Sequence, residues 1–253
     1  MRVMVTNDDG IGARGLLALC QALQPLGEVY VIAPDRERSA CSHNITVHDI
    51  LRVEKLDYGW AVTGTPADCI KMGLDALLPG PPDVVVSGIN EGANLGTDVI
   101  YSGTVAAALE GAIAGIPSLA VSVASVKVRD FTYAAEFARH LCRQVVQKGL
   151  PRGTALNVNV PDVPAEEIAG VEVTRLSWRR YVNSVHRQQD PRGRDYFWLA
   201  GECVEVEPRP GSDLDCIRAG KISITPIHFD LTNTTAIGEI MTWRLSEQVS
   251  DPG

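Results

Sequence analysis

Two adjacent carboxylates, Asp8 and Asp9, follow the apolar run at residues 3–5 and directly precede Gly10. Neighbouring residues on a regular strand point to opposite faces, but where the chain turns at a strand end both side chains can face one point. Two carboxylates placed together repel unless a cation or a shared proton compensates, and hard divalent cations prefer oxygen ligands. The pattern therefore predicts a divalent-cation site. An Asp-Gly turn with solvated carboxylates is the alternative.

A glycine-rich segment at residues 88–98 follows the predicted strand 83–87 and carries Asn90 and Asn94. Their side-chain carbonyl and amide groups suit either the remaining positions around a cation or the oxygens of a phosphate. Long loops in compact domains are usually functional or disordered, and the apolar residues interspersed in this one favour an ordered loop.

The three residues Ser102, Gly103 and Thr104 open an alanine-rich segment with the composition of a helix. Such a helix start presents free backbone N–H groups, two hydroxyls and the positive end of the helix dipole, which together bind anions. Phosphate binding is therefore the interpretation we favour. Simple N-capping by Ser102 or Thr104 is the alternative.

Strand and helix patterns alternate through the first 161 residues, which indicates parallel strands joined by right-handed crossovers. One or two antiparallel strands over residues 45–62 border this sheet. In an open α/β sheet, ligands bind beyond the carboxyl ends of the strands, where the polar segments above would meet. The predicted strands are 2–6, 28–33, 83–87, 116–123 and 155–161, and the predicted helices are 12–25, 66–77, the alanine-rich segment and 130–148.

The sequence changes character after Pro161. The segment 162–220 is richer in Arg, Asp, Pro and Gly and has no sustained helical pattern, which predicts an antiparallel β-hairpin arm. Isolated hairpins are only marginally stable, so we expect this arm to pack on a partner subunit. A returning strand over 221–227 and a helix over about 234–246 follow. The strand-like pieces before them are 171–176, 195–200 and 203–207.

The length of 253 residues suits a catalytic core over residues 1–161 with an oligomerisation segment over residues 162–253. The net charge of −8 and the pI near 5.1 argue against a nucleic-acid-binding surface. Six cysteines without a Cys-x-x-Cys pair argue against a zinc site and suit a reducing cytosol. No signal-peptide pattern precedes the first strand, and the most apolar region, 99–126, is interrupted by Glu110 and Pro117. We therefore expect a soluble cytoplasmic protein without a membrane span.

Several of these segments, in this order and spacing, resemble the motifs of the SurE family, the survival protein E nucleotidases. The likeness runs through about the first half of the chain and resumes toward its C-terminus. The matching segments are Thr6-Asn7-Asp8-Asp9-Gly10, Ala33-Pro34-Asp35-Arg36 with Ser39, Gly64-Thr65-Pro66-Ala67-Asp68-Cys69, Ser87-Gly88-Ile89-Asn90 with Asn94-Leu95-Gly96, Tyr101-Ser102-Gly103-Thr104-Val105-Ala106-Ala107-Ala108, Leu156-Asn157-Val158-Asn159-Val160-Pro161, Gln189-Asp190-Pro191-Arg192-Gly193 and Thr225-Pro226-Ile227-His228-Phe229-Asp230-Leu231-Thr232.

The resemblance implies a fold, an activity and an assembly. It implies a Rossmann-like core with a metal-dependent phosphatase activity on nucleoside 5′- and 3′-monophosphates, and some members also trim polyphosphate. It implies one divalent ion per subunit, Mg²⁺ or Mn²⁺. It further implies a homodimer or homotetramer built by exchange of the C-terminal segment and the hairpin arm.

The resemblance also assigns roles to single residues. The assignment of Ser39 rests on the resemblance alone, because its position by itself is that of an ordinary loop serine. One departure is visible: residues 11–15 lack the proline that many members carry before the last glycine, so we expect a looser turn and an unchanged site. The implied metal ligands are Asp8, Asp9, Ser39 and Asn90, the first two also being catalytic, and the implied phosphate or substrate contacts are Asn7, Asn94, Ser102, Gly103 and Thr104.

The chemical mechanism stays open at the level of sequence. The nucleophile is either Asp8 itself or a water molecule activated at the cation with an aspartate as base. His43 and His228 are the candidate general acids, and a structural or interface role is the alternative for each.

Two other function classes fit parts of the pattern. A phosphate sensor of the response-regulator type also pairs acids after its first strand, but it needs an aspartate at the end of the central strand, where this chain has Ser87-Gly88-Ile89-Asn90. A dinucleotide-dependent enzyme matches the spacing of Gly10, Gly12 and Gly15, but the adjacent acids would place negative charge against the pyrophosphate. Hydrolysis of AMP without binding of NAD separates these classes.

Overall fold

A computed structural model describes the protein over residues 1–207 and 209–243. The α-helices in this part of the chain are α1 (Arg14–Leu23), α2 (Pro66–Met72), α3 (Gly103–Ile113), α4 (Thr132–Lys148), α5 (Asp213–Arg218) and α6 (Thr234–Ile240). The strands are β1 (Arg2–Thr6), β2 (Glu28–Pro34), β3 (Val53–Leu56), β4 (Gly59–Val62), β5 (Val84–Glu91), β6 (Ser118–Val123), β7 (Thr154–Val160), β8 (Val171–Val173), β9 (Trp178–Val182), β10 (Val185–Gln189), β11 (Asp195–Leu199), β12 (Glu202–Glu207) and β13 (Ile222–His228).

Nine strands form one sheet in the order β3-β4-β2-β1-β5-β6-β7-β13-β8. From β4 to β7 every neighbour runs parallel, whereas β3 runs antiparallel to β4 and β13 runs antiparallel to β7. The central strands are near-continuous apolar runs because helices cover both of their faces. The predicted α/β class is confirmed: a mostly parallel, Rossmann-like sheet with helices on both faces and a C-terminal antiparallel extension.

Two pairs of helices cover the sheet. Helices α1 and α4 pack on the face to which Val3 and Val5 of β1 point, and α2 and α3 pack on the opposite face, to which Met4 points. Gly15 allows α1 to approach β5 closely, because a Cβ at this position would lie 2.0 Å from the carbonyl oxygen of Ile89. This contact brings the loop after β1 next to the end of β5.

The boundary of β5 differs from the prediction. The strand continues to Glu91, because Asn90 and Glu91 pair with Ser122 and Val123 of β6 across a bulge. Asn90 therefore lies at the end of a strand rather than within a loop.

The C-terminal part also departs from the sequence-based prediction. The segment 162–220 contains the short helix α5. Its N-cap is Ser212, whose hydroxyl accepts a hydrogen bond from the backbone N–H of Asp215. Strands β9 and β10 were not expected, because their polar and mostly exposed residues carry no alternating apolar pattern. Helix α6 ends at Ile240, and residues 244–246 of the predicted helix lie outside the described residues.

The arm is an antiparallel hairpin in two parts. Strand β9 pairs with β12 at its root, and β10 pairs with β11 toward its tip. Strand β11 exposes large apolar side chains, with Trp198 61% and Leu199 83% exposed. Packing of this arm on a partner subunit and the division of the chain at residue 161 stay predictions; β8 and β13, which follow that division, lie in the main sheet. No helix in the described part of the chain has the length and apolarity needed to cross a membrane.

Candidate active site

The carboxyl ends of neighbouring strands bring the predicted segments together. Asp8 and Asp9 follow β1, which lies between β2 and β5 in the sheet. The loop after β2 lies against them, since the backbone N–H of Arg38 donates to the carbonyl oxygen of Asp8 at 2.7 Å. The N-terminus of α3 also lies against them, since the hydroxyl of Thr104 donates to Asp8. The site therefore lies at the edge at which open α/β sheets bind ligands.

Asp8 is held by the first turn of α3. Its Oδ1 accepts a hydrogen bond from the hydroxyl of Thr104 at 2.5 Å, and its Oδ2 accepts one from the backbone N–H of Thr104 at 3.2 Å. The N-cap of this helix is Ser102, whose hydroxyl accepts from the backbone N–H of Val105 at 3.1 Å. The structure thus brings the acid pair into contact with the start of α3, two segments that are far apart in the sequence. The hydroxyl of Thr104 binds Asp8, whereas the hydroxyl of Ser102 caps the helix.

Gly103 provides the space for this contact. A Cβ on this residue would lie 2.9 Å from Cβ and 3.0 Å from Oδ2 of Asp8, and 2.8 Å from Sγ of Cys41. Carbon atoms do not approach side chains so closely, so only glycine allows the start of α3 to approach the buried aspartate at this distance.

The two proposed ligands outside the acid pair lie on separate strand ends. Ser39 is exposed on the loop after β2, where its hydroxyl donates to Oε1 of Glu37 at 2.7 Å. The side-chain amide nitrogen of Asn90 donates to the carbonyl oxygen of Gly92 at 2.8 Å. Because the amide nitrogen of Asn90 is used in this bond, the side-chain oxygen Oδ1 is the atom of Asn90 suited to a cation.

Asn94 is fixed by side chains that sequence reasoning did not single out. Its amide nitrogen donates to Oγ of Ser122 at 2.8 Å, and its backbone N–H donates to Oδ1 of Asn159 at 2.8 Å. Its carbonyl oxygen accepts from the side-chain amides of Asn157 at 2.8 Å and Asn159 at 3.1 Å. Two buried asparagines at alternate positions of an otherwise apolar strand were the available signal, because buried polar groups need partners.

Asn7 supports the turn that carries the acids. It is fully buried, and its amide nitrogen donates to the carbonyl oxygen of Gly10 at 2.9 Å. Gly10 has a φ of 97°, which favours glycine. The turn is closed by hydrogen bonds from Ile11 to Pro34 and from Ala13 to Gly10, so it keeps its shape without a proline. The substrate contact predicted for Asn7 stays a prediction.

Comparison with known proteins identifies the family of this chain. The family model described as "Survival protein SurE" matches residues 3–183. This chain belongs to the SurE family. It is 54% identical to the "5′-nucleotidase SurE" of Heliobacterium modesticaldum, over 96% of this chain and 92% of that protein. It is 53% identical to the "5′-nucleotidase SurE" of Moorella thermoacetica, over 92% of each chain. The crystal structure of the SurE protein from Aquifex aeolicus superposes with a TM-score of 0.84 at 40% identity, covering 95% of this chain and 98% of that one.

The acid pair of this SurE protein carries uncompensated charge. Burial raises the pKa of Asp8, although the hydrogen bonds from Thr104 oppose the shift. Burial and the charge of Asp8 raise the pKa of Asp9 to about 7. Among the described residues neither carboxylate forms an ion pair with a basic side chain. A buried acid next to a partly buried one, neither paired with a basic side chain among the described residues, fits a cation.

The donor set fits a hard cation rather than zinc. No group of three or more His, Cys, Asp or Glu side chains suited to a metal occurs within residues 1–207 and 209–243. The proposed set instead combines two carboxylates with a hydroxyl and an amide oxygen, all of them oxygen donors. Oxygen donors suit Mg²⁺ and Mn²⁺, whereas zinc selects nitrogen and sulfur.

The two candidate general acids lie away from the acid pair, along one cavity of about 520 Å³ between α3 and β13. Nε2 of His43 lies 2.8 Å from a carboxylate oxygen of Glu110, whose other oxygen lies 2.7 Å from Nζ of Lys71. His43 and Lys71 together lower the pKa of Glu110. This arrangement supports the structural role for His43, and His228 contributes to the wall of the cavity.

We expect Asp9→Asn to stabilise the metal-free protein at pH 8 by about 1–2 kcal/mol, after allowance for solvent screening. The folded-state pKa of Asp9, about 7, lies above its usual 3.8, so folding favours the protonated acid. Its contribution to stability is therefore lost as the pH rises from about 4 to 7. Melting temperatures in chelator at pH 5 and pH 8 test this prediction. The advantage of the variant should grow with pH, and an advantage that stays constant would contradict the assignment.

Proposed function

We propose that this chain, a 5′-nucleotidase by its family and its relatives, is metal-dependent and hydrolyses nucleoside 5′-monophosphates to nucleoside and phosphate. The observation that carries the proposal is the contact between Thr104 and Asp8, which joins the acid pair to the start of a helix, an element that favours anions. The 5′-nucleotidase names of relatives at more than 50% identity support it. Hydrolysis of 3′-monophosphates and of short polyphosphate belongs to the same proposal.

We propose one Mg²⁺ or Mn²⁺ per subunit, held by Asp8, Asp9, Ser39 and Asn90. When bound, such an ion neutralises charge on the phosphate oxygens and polarises the phosphoryl group. The raised pKa values of the acid pair support this assignment.

The start of α3 is the proposed phosphate-binding element. Helix N-termini present backbone N–H groups and a positive dipole end, which stabilise charge on oxygens in the transition state. Ser102, Gly103 and Thr104 form this start, and Asn94, which precedes it in the chain, is held by the asparagines of β7. Asn94, Ser102 and Gly103 would hold the phosphate oxygens that do not face the cation. Thr104, also predicted as a phosphate contact, donates with its hydroxyl and its backbone N–H to Asp8 and would link this element to the acid pair.

We propose that water rather than Asp8 attacks the phosphorus. Both oxygens of Asp8 accept hydrogen bonds from Thr104, which lowers their nucleophilicity. Asp9 is then the aspartate that would accept the proton from the attacking water. A single turnover in ¹⁸O-labelled water should place the label in phosphate, and trapping of an acyl-phosphate on Asp8 would contradict this route.

Phosphate release from a panel of nucleoside 5′- and 3′-monophosphates and short polyphosphate tests the proposed activity. The assays are run with Mg²⁺, with Mn²⁺ and with chelator. We expect release from 5′-monophosphates that chelator abolishes. The absence of release with either ion from every nucleotide would refute the nucleotidase proposal.

The assembly we propose is a homodimer or homotetramer formed through the arm and the C-terminal segment. The exposed apolar side chains of β11 support this proposal, since large exposed apolar patches mark interaction sites. Sedimentation of the full chain tests it, and a monomer at micromolar concentration would contradict it.

A further inference from the structure

The loop between Asn94 and Ser102 joins two of the proposed phosphate contacts, and its middle is a 3₁₀ turn at Gly96–Ile100. The asparagines of β7 hold its beginning, and the backbone N–H of Ser42 holds its end by donating to the carbonyl oxygen of Tyr101 at 3.0 Å. The middle is held by residues about 80 to 120 positions further along the chain, at the root of the arm and at the start of α5.

Asp213 is the first of these anchors. Its side chain is fully buried and accepts backbone hydrogen bonds from three directions. Oδ2 accepts from the N–H of Gly96 at 2.7 Å, and Oδ1 accepts from the N–H of Ser177 at 2.9 Å and of Leu214 at 2.8 Å. One carboxylate thus ties the loop to the arm root and to α5.

Arg179 of β9 is the second anchor. Its guanidinium lies 2.7 Å from Oδ2 of Asp98, with both side chains largely buried. Its carbonyl oxygen accepts from the hydroxyl of Thr97 at 2.6 Å. Gly96 has a φ of 55°, and a Cβ there would lie 2.4 Å from the carbonyl oxygen of Ser177, so the backbones of loop and arm root are in direct contact.

We propose that Asp213 and the Asp98–Arg179 pair are positioning residues that set the phosphate-binding loop from the root of the arm. The inference rests on the proposed function, because the loop carries Asn94 and leads into Ser102. None of these anchors touches the acid pair, so they act on phosphate placement and leave cation binding unchanged. A misplacement of about 1 Å can cost on the order of 10²-fold in rate, so this coupling makes turnover sensitive to the position of the arm root.

Asp213→Asn tests the first anchor. The amide has one oxygen and one NH₂ group, so if the oxygen serves Ser177 and Leu214, the NH₂ group faces the N–H of Gly96 and the loop loses its bond. We expect kcat/KM to fall by about 10- to 100-fold, the inhibition constant of inorganic phosphate to rise, and Mn²⁺ affinity by calorimetry to stay within about twofold. Amides of residues 94–102 should exchange hydrogen faster. The control is Asp215→Asn on the same helix, whose partly exposed carboxylate lies 3.8 Å from Arg218.

Arg179→Gln and Arg179→Lys test the second anchor and cover the case in which Asp213→Asn does not fold. Glutamine removes the ion pair with Asp98, whereas lysine keeps the charge and should restore part of the loss in phosphate binding. Folded variants that match the parent in kcat/KM, phosphate inhibition and loop exchange would overturn the inference. So would an equal loss in the Asp215→Asn control.

The exchange measurement separates this inference from the proposed function. A parent protein that releases no phosphate from any nucleotide refutes the activity and, with it, the positioning role. An active parent whose Asp213→Asn variant keeps its rate and its loop protection refutes the positioning role alone.

Discussion

Asp8→Asn should lower kcat/KM for a nucleoside 5′-monophosphate by at least about 10³-fold, because it removes a full charge from the acid pair. The amide keeps both contacts with Thr104 when its oxygen accepts the backbone N–H and its NH₂ group donates to the hydroxyl, so the loss reports the missing charge. The fold should survive, because the substitution keeps the side-chain volume and removes a buried carboxyl group whose pKa is raised by burial. Steady-state kinetics measure the loss in kcat/KM, and Mn²⁺ titration by calorimetry measures the change in metal affinity.

The matched control for this prediction is Asp57→Asn. Asp57 is an exposed acid in the turn between β3 and β4, away from the site, so its variant changes the net charge equally and should keep parental kinetics. Activity of Asp8→Asn within tenfold of the parent would show that the carboxylate of Asp8 is not part of the reaction centre. A metal affinity unchanged in that variant would remove Asp8 from the ligand set.

Gly103→Ala should lower kcat/KM by about 10²-fold, because the added methyl would meet Asp8 and Cys41 at 3.0 Å or less. Either the start of α3 or the side chain of Asp8 must move, and overpacking of this kind costs about 1–3 kcal/mol of stability. Alanine favours helix over glycine by about 1 kcal/mol, which offsets part of that cost. The expected variant is therefore folded and nearly as stable as the parent, with a large loss in turnover.

Two further variants make this prediction specific. Gly12→Ala adds the same methyl group where no atom lies within 4 Å, and it should leave activity unchanged. Cys41→Ala combined with Gly103→Ala removes one of the two contacts and leaves the contact with Asp8, so it should recover stability more than activity. Full activity in Gly103→Ala alone would mean that α3 can retreat without consequence for the site.

The proposed site combines function with a cost in stability. Burial raises the pKa of Asp8, and burial together with the charge of Asp8 raises the pKa of Asp9, so ionising both acids in the metal-free protein costs stability at neutral pH. Substitutions that remove the charge should therefore stabilise the chain while they remove activity, a trade-off typical of active sites. The expected stabilisation by Asp9→Asn and the expected inactivity of Asp8→Asn are two consequences of the same electrostatic arrangement.

Local sequence patterns determined the core of the fold and the acid pair. Apolar side chains recur every two residues along a strand and about every 3.6 residues along a helix. These periods can be read from consecutive residues, so β1, α1, β2 and α4 could be predicted from the chain alone. The positions of Asp8 and Asp9 after the first strand, and of Ser102, Gly103 and Thr104 before a helix, were equally visible. The family resemblance added Ser39, whose local context was that of a loop serine.

Only the tertiary structure decided which of these residues meet. The hydrogen bond between Thr104 and Asp8 spans 96 positions of sequence, and the bond between Asp213 and Gly96 spans 117. Such pairings depend on how helices and strands pack, and no local periodicity records them. The asparagines of β7, noted only as part of a matching segment, and the buried carboxylate of Asp213 were given no role for the same reason: their partners include backbone groups of a distant loop, which the sequence does not distinguish from any other backbone.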